Sequence, residues 1–546
     1  MKSLFSFLLR YSPRYVALAI ITSVLSGLAN TGLLAIIHRS TSNLDQVTQL
    51  LVIGFVICGI LLPTFRVISE VLLVNLTQKA TKDLRIHLSR QILSAPLREL
   101  EKHGSNKLIA ALTNDILILA NALNQLPTFC MHLTVVIGCL SYLVWLYWIA
   151  GVGMLITSVL GLAIYALFFT KGQVYFKTAR EEADDLYLHF EALTEGTKEL
   201  KIHKARRDAF LDQMLHPTVE SFRKNMVTGS AYYAVAGSVG QVLFFVVIGV
   251  CVFLLPTMFP TMTQETVTGY TMVLLYLIFP LDGLTNIAPA LGNAQVSLRK
   301  VEELGVELHG LTIEEISDVP PAVDWSLLKY DGITHTFHRE KEDQSFTMGP
   351  INLEFKPGEL VFLVGGNGSG KTTLAKLMIG LYTPESGDVI MDGKTITDHN
   401  RDHFRQYFST IFTDFHLFDS FLGLDQTKVD EKAQQYLKEL QLDHKVKFEN
   451  GKLSTLQLSQ GQRKRLSLLT AYLEDRPIYL FDEWAADQDP LFKEVFYLSL
   501  LPELKAKGKT VIVISHDEHY FHVADRMIRL DYGQVEYDKL MEPTVG

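Results

Sequence analysis

Apolar residues along this 546-residue chain fall into two regimes. Up to about residue 295 they form long runs; beyond it they form short runs bounded by glycine, proline and charge. Six long runs, at about 16–37, 50–74, 127–148, 150–170, 231–255 and 266–289, each approach the ~20 residues a helix needs to cross the hydrocarbon of a bilayer. The first is too long for the core of a signal peptide, and the second is interrupted by Pro63, Arg66 and Glu70. The polar stretches 75–126 and 171–230 keep a helical period, with Leu84, Leu88 and Ile92 four apart on one face. Loops of that length without structure are uncommon, so the pattern predicts membrane helices two to five continuing into the cytoplasm. They would turn near Pro96–His103 and Glu191–Glu199. After residue 326, short apolar runs such as Leu360–Val364 alternate with helical periods, the signature of a parallel sheet between helices. An acidic stretch with Pro320-Pro321 separates the two regimes. The organisation predicted is a six-helix membrane domain at 1–300, a linker at 301–325 and an α/β domain at 326–546.

Charge orients the spans. Lys2, Arg10 and Arg14 precede the first; Lys79, Lys82, Arg85 and Arg90 follow the second; Lys171, Lys177 and Arg180 follow the fourth; Arg299 and Lys300 follow the sixth. The opposite connections contain Arg39 alone. The positive-inside rule then puts both termini and the α/β domain in the cytoplasm. Composition adds little more: 48% apolar residues and a net charge of −9, with no basic face or tail to suggest a nucleic-acid partner. Cys58, Cys130, Cys139 and Cys251 lie in apolar stretches without metal-ligand spacing.

The chemistry begins at Leu360–Val364, which runs into Gly365-Gly366-Asn367-Gly368-Ser369-Gly370-Lys371-Thr372 and then Thr373, with Leu374, Leu377, Met378 and Leu381 at helical spacing. This is G-x-x-x-x-G-K-[ST] between a strand and a helix, the context a phosphate-binding loop requires. Glycines let backbone N–H groups turn inward, the helix N-terminus adds its positive end, Lys371 reaches the β- and γ-phosphates, and the Thr372 hydroxyl suits Mg²⁺. ATP and Mg²⁺ are the cofactors predicted.

Further motifs follow in order: LSQGQ (458–462), PIYLFDE (477–483) and TVIVISHD (510–517). Together with the phosphate loop they resemble the nucleotide-binding domain of ABC transporters, fused behind a membrane half in the order of type IV exporters. The resemblance implies ATP contacts from Ser459, Gly461 and Gln462, water-mediated hold of Mg²⁺ by Asp482, a general base in Glu483, and His516 directed at the γ-phosphate. It places Phe337 where an aromatic ring stacks on adenine and Asp489 facing a partner subunit. One departure stands in IFTDFHLF (411–418): Thr413 occupies the place of the usual glutamine that contacts metal and membrane half, with a shorter reach.

The whole set, with IFTDFHLF and YLFDEWAADQDP, looks like the bacterial cyclic-peptide exporters, whose members include pyoverdine-precursor, syringomycin and microcin exporters. That implies a multi-pass protein of the bacterial inner membrane, an ATP hydrolase coupled to export of a peptide-like small molecule, acting as a homodimer. A lipid flippase, a multidrug exporter and an ATP-gated channel are the rival readings. Within the spans, Arg66 and Glu70 are spaced to pair, whereas Asp282, just after Pro280, is the better candidate for lining a cargo path.

Overall fold

A computed structural model describes residues 7–9, 12–42, 48–259, 262–309, 324–339, 344–424, 426–449 and 451–541. Of the expected linker at 301–325, residues 310–323 lie outside the described residues, and 301–309 continue the last long helix of the first half of the chain. The chain divides into two compact units, Met1–Ile86 with Ile109–Glu303, and His87–Leu108 with Leu304–Gly546.

The first unit is helical. Among the described residues, six helical stretches are long and apolar enough to cross a membrane. In chain order the helices used below are α1 (Pro13–Ser42), α2 (Gln49–Ser94), α3 (Leu97–His103), α4 (Leu126–Leu146), α5 (Trp148–Glu195), α6 (Thr197–Ile202), α7 (His216–Gly249) and α8 (Gln264–His309). At 1.5 Å per residue, the 46 residues of α2 reach about 69 Å, more than twice the ~30 Å of hydrocarbon. Its excess length is the polar, helical-period stretch after residue 75.

Without a hydrophobic drive between helices in lipid, close packing needs small residues. Two glycines supply it between α1 and α4: a Cβ on Gly27 would stand 2.7 Å from Thr134, and one on Gly138 2.7 Å from Thr31. Helices α5 and α7 are joined by aromatic rings, Phe169 stacking on Tyr233 at 4.9 Å and Tyr175 on Tyr232 at 5.6 Å, while Gly172 makes room for the Tyr233 ring. Tyr270 of α8 puts its hydroxyl within 2.6 Å of the Leu143 carbonyl and 2.8 Å of that of Tyr147, tying α8 to the C-terminal end of α4. Arg66 and Glu70 do pair, at 3.0 Å. Asp282 accepts a hydrogen bond from Asn286, 3.2 Å away.

The second unit is built on a six-stranded sheet in the order β12-β11-β3-β10-β9-β6, comprising β3 (Leu360–Gly365), β6 (Phe408–Ile411), β9 (Ile478–Asp482), β10 (Thr510–Ile514), β11 (Arg526–Asp531) and β12 (Gln534–Leu540). Its strands are parallel except β12, an antiparallel edge. The period of two divides each central strand between two cores. Leu360, Phe362 and Val364 face one cluster with Tyr479, Phe481, Val511 and Val513; Val361 and Leu363 face the other with Leu480, Ile512 and Ile514. Burial on both faces is why these strands read as unbroken apolar runs. A second, antiparallel sheet, β2-β1-β4-β5, contains β1 (Leu328–Arg339), β2 (Gln344–Phe355), β4 (Ser386–Met391) and β5 (Lys394–Thr395) and shares the second cluster. Two short strands, β7 (Phe448–Glu449) and β8 (Lys452–Leu453), pair antiparallel. Helices α9 (Lys371–Met378), α10 (Gln426–Glu439), α11 (Gln460–Glu474) and α12 (Pro490–Val495) complete the elements used here.

Candidate functional site

The phosphate loop leaves the C-terminal end of β3, at the centre of the sheet, and enters α9. Gly365 has φ 150° and Gly370 φ 101°, conformations that side chains with a Cβ rarely adopt, and a Cβ on Gly365 would fall 2.2 Å from the Leu530 carbonyl oxygen. Asn367 and Gly368 are exposed at the tip; Thr372 is exposed and Thr373 half-buried on the first turn of α9. Lys371 is buried, and its Nζ donates to the carbonyls of Gly365 and Gly366, each at 3.0 Å. Burial pulls its ammonium below the ordinary lysine range, against the pull of Glu483 and Asp482. The buried Ser369 hydroxyl has no hydrogen-bond partner among the described residues, so the loop holds an unspent donor beside its inward amides. These features suit a triphosphate.

Two strands away, β9 ends in Asp482, and Glu483 follows with φ 48°. Thr372 Oγ1 donates to Asp482 Oδ2 at 3.0 Å, while Oδ1 is buried without a partner among the described residues. Burial raises the Asp482 carboxyl, the Thr372 bond opposes it, and Glu483 adds repulsion. A buried carboxylate oxygen with no partner beside a threonine hydroxyl is the hard-oxygen set that Mg²⁺ takes, with waters and phosphate filling the rest of its shell. The residues therefore fit that ion. His516, two residues past β10, brings Nε2 to 3.1 Å from Glu483 Oε1. Thr413 is exposed, and its hydroxyl donates to the Asp482 carbonyl at 3.2 Å. That hydroxyl braces the backbone of the acidic strand end.

Ser459 and Gln460 are exposed at the start of α11. Ser459 Oγ accepts from the Gln462 N–H at 3.4 Å, and the Gln462 side chain accepts from the Ser459 N–H at 3.2 Å, a reciprocal capping box. Gly461 packs closely: a Cβ there would lie 3.2 Å from the Asp487 carbonyl. Asp489 caps α12 by accepting from the Phe492 N–H at 3.0 Å and pairs with Arg465. Phe337 lies on β1 opposite Phe346, with its side chain outside the described residues.

The fold also brings to this region several residues that spacing along the chain does not mark. Phe346 and Met348 pack under Gly370 and Gly533. Glu101 of α3 receives Lys376, near the far end of α9, at 2.8 Å and the hydroxyl of Tyr382, just past that helix, and Arg98 pairs with Glu385 at 3.1 Å. Burial, then the bond to Glu101, push the Tyr382 phenol up to about 12, so it stays a donor at neutral pH. Lys464 and Trp484 bind the signature turn to the segment after Glu483. Lys464 sits in Arg463-Lys464-Arg465, which reads as a solvated basic run; nothing in spacing marks the middle residue as buried.

A loop of the phosphate-binding form, an acidic strand end and a capped signature helix, following six membrane-length helices in sequence, define an ABC transporter. The chain belongs to that family: the ABC transporter model matches residues 348–486 and the ABC transporter transmembrane region model residues 15–281. The ATP-binding protein SyrD of Pseudomonas syringae pv. syringae is 34% identical over 536 residues, which cover 96% of this chain and 94% of that protein. An ATP-dependent lipid A-core flippase of Alkalilimnicola ehrlichii is 24% identical over 84% of this chain and 79% of its own length. The transport/processing ATP-binding protein ComA of Streptococcus pneumoniae is 26% identical over 49% of this chain and 38% of its own. The chain is thus a multi-pass membrane protein with an ATP-binding domain, an ABC exporter.

Proposed function

We propose that this exporter hydrolyses ATP to move a peptide-like small molecule, such as a cyclic peptide, a lasso peptide or a siderophore precursor, out across the bacterial inner membrane. It works as a homodimer with both termini cytoplasmic. The observation that carries the hydrolytic part is the Glu483–His516 pair beside Asp482 and Thr372. A carboxylate can only accept a hydrogen bond, so with Glu483 ionised the His516 Nε2 carries the hydrogen. That fixes the tautomer and leaves the second Glu483 oxygen free to take a proton from the attacking water. Lys371, Ser369 and the loop amides hold the phosphates. Thr372 and Asp482 would hold Mg²⁺, which when bound neutralises phosphate charge. Ser459, Gly461 and Gln462 serve the nucleotide of the other copy, so that two chains complete two equivalent sites. Adenine stacks on Phe337. Closure on ATP and release after hydrolysis switch the membrane helices between inward and outward access. Glu101 of α3 transmits that switch to α9, whose other end carries Lys371, while Arg98 ties α3 to Glu385 just ahead of β4.

The cargo reading rests on the resemblance to cyclic-peptide exporters and on similarity to SyrD along nearly the whole chain. Asp282, exposed on α8, lines the path for a polar or cationic group. Similarity to lipid A-core flippases favours a second reading, a lipid substrate. The deciding experiment reconstitutes the full chain in inside-out vesicles and measures ATP-dependent uptake of a cyclic lipopeptide against flipping of a labelled lipid A precursor. Uptake of the peptide alone supports the first reading; flipping alone supports the second. Activity of neither kind, with ATPase unresponsive to both, would return the gated-channel alternative.

A further inference from the structure

Lys464, the fifth residue of α11, is one of the largest fully buried side chains of the protein, with 1% of its surface exposed. A buried ammonium persists only where it is neutralised and hydrogen-bonded. Both partners come from the segment after the acidic strand: Asp487 Oδ2 lies 2.7 Å from Nζ, and the carbonyl of Glu483 accepts from it at 3.1 Å. The return bond runs the other way, with the Trp484 indole N–H donating to the carbonyl of Lys464 at 2.8 Å. Trp484 is itself held by stacking on Phe496 at 4.4 Å. A side chain from each segment thus grips the backbone of the other. Gln488 extends the grip by donating to the Gly461 carbonyl at 3.0 Å.

The residue so gripped is Glu483, whose φ of 48° is a left-handed conformation that a residue with a long side chain holds only when its surroundings enforce it. We infer that Lys464 is a positioning residue for hydrolysis. Its ammonium, neutralised by Asp487, fixes the Glu483 carbonyl so that the carboxylate faces His516, and it locks that carboxylate to the Ser459–Gly461 turn of the same chain. The inference rests on Glu483 acting as the base. It also gives the two nucleotide sites of a dimer a mechanical link, because the turn serves one site and Glu483 the other.

The test measures ATP hydrolysis and the affinity for a fluorescent ATP analogue in full-length protein in lipid nanodiscs, for Glu483→Gln, Lys464→Met, Lys464→Gln and Trp484→Phe. Misplacing a catalytic group by about 1 Å can cost ~10²-fold, so Lys464→Met should lower kcat at least about tenfold while KM and analogue affinity stay within about twofold. Lys464→Gln keeps a donor for the Glu483 carbonyl and leaves Asp487 to water, so it should restore most of kcat. Trp484→Phe keeps an aromatic ring against Phe496 but loses the return bond and some buried volume; it should lower kcat severalfold with KM unchanged, and it carries the test should Lys464→Met fail to fold. Normal kcat in both Lys464→Met and Trp484→Phe, with Glu483→Gln inactive, overturns the positioning role and leaves the base intact. A raised KM at unchanged kcat also overturns it. Normal turnover by Glu483→Gln removes the base itself, and the positioning role falls with it.

Discussion

His516 Nε2 stands 3.1 Å from Glu483 Oε1, and strand register explains why. β10 and β9 are parallel neighbours with Ile514 paired to Asp482, so the chain steps just beyond the two strand ends emerge side by side above the sheet. Functional groups gather at the carboxyl ends of such strands because the loops there are freed from the ladder. Glu483→Gln should keep ATP affinity and lose at least the ~10²-fold attributed to a positioned base. His516→Ala should lose less, since it orients a base that remains. Steady-state phosphate release together with ATP binding measures both; near-normal turnover by Glu483→Gln would refute its role.

Adjacent glycines in the phosphate loop should behave oppositely. A Cβ on Gly365 would meet the Leu530 carbonyl at 2.2 Å from a φ of 150°, whereas a Cβ on Gly366 meets nothing within 4 Å. Strained φ alone costs about 1–3 kcal/mol, before the clash. Gly365→Ala should therefore abolish binding of a fluorescent ATP analogue or lower the melting temperature, and Gly366→Ala should do neither. Equal behaviour of the two variants would contradict the backbone argument.

Much of this was legible from spacing. The strand before Gly365, the helix after Lys371 and the acidic end of β9 announce themselves because burial on both sheet faces demands uninterrupted apolar residues. The six spans are legible for a similar reason, since hydrocarbon tolerates little else. The contacts that join segments far apart in sequence were not. Lys464 looks like surface charge and is buried; Glu101 looks like one acid on a polar helix and receives Lys376, 275 residues away. Periodicity reports which face a residue occupies, and says nothing about which distant partner meets it.

The Glu101 cluster supplies a test of coupling. Burial pulls the Lys376 ammonium down, but its bond to Glu101 and the nearby Tyr382 outweigh this and raise it. Glu101 is exposed enough for water to screen the pair, so its loss should cost only about 1 kcal/mol of stability. Glu101→Ala should leave basal ATPase within about twofold while abolishing most of its stimulation by cargo. Tyr382→Phe, which removes one of the two donors, should fall between. Stimulation unchanged in Glu101→Ala would separate α3 from coupling.

Asp282 tests the cargo path. Its carboxylate is exposed on α8 and bonded to the neutral amide of Asn286, in contrast to Glu70, which is matched by the cation of Arg66. Asp282→Asn should keep expression and basal ATPase and reduce transport of a cationic peptide about tenfold, roughly the 1–2 kcal/mol of one charge-assisted contact. Uptake in inside-out vesicles reads this directly. Unaltered uptake would make Asp282 a packing residue.

Asp482 predicts a pH dependence of opposite sign to that of a salt-bridged acid. Burial raises its carboxyl above the ordinary 3.8, Thr372 offsets part of this, and Glu483 adds to it. A folded-state pKa above the unfolded one means that the folded protein binds the proton more tightly. The associated stability is fully present below 3.8 and is lost as pH rises through the raised folded value. At pH 7.5 without metal or nucleotide, the fold therefore carries a buried anion that Thr372 and the Lys371 ammonium offset only in part, with Oδ1 lacking a hydrogen-bond partner among the described residues. Asp482→Asn keeps the shape and removes the charge. Its apparent melting temperature should equal or exceed that of the unmodified protein at pH 7.5 by up to a few degrees, since a tenfold difference in proton affinity between the folded and unfolded chain is worth about 1.4 kcal/mol. The difference should vanish toward pH 4. Adding Mg²⁺ and ATP should reverse the order, stabilising the carboxylate protein and not the amide. An Asp482→Asn protein melting well below the unmodified one at pH 7.5 without metal would show that the carboxylate stabilises the empty fold, and would overturn its assignment as a group held charged for a cation.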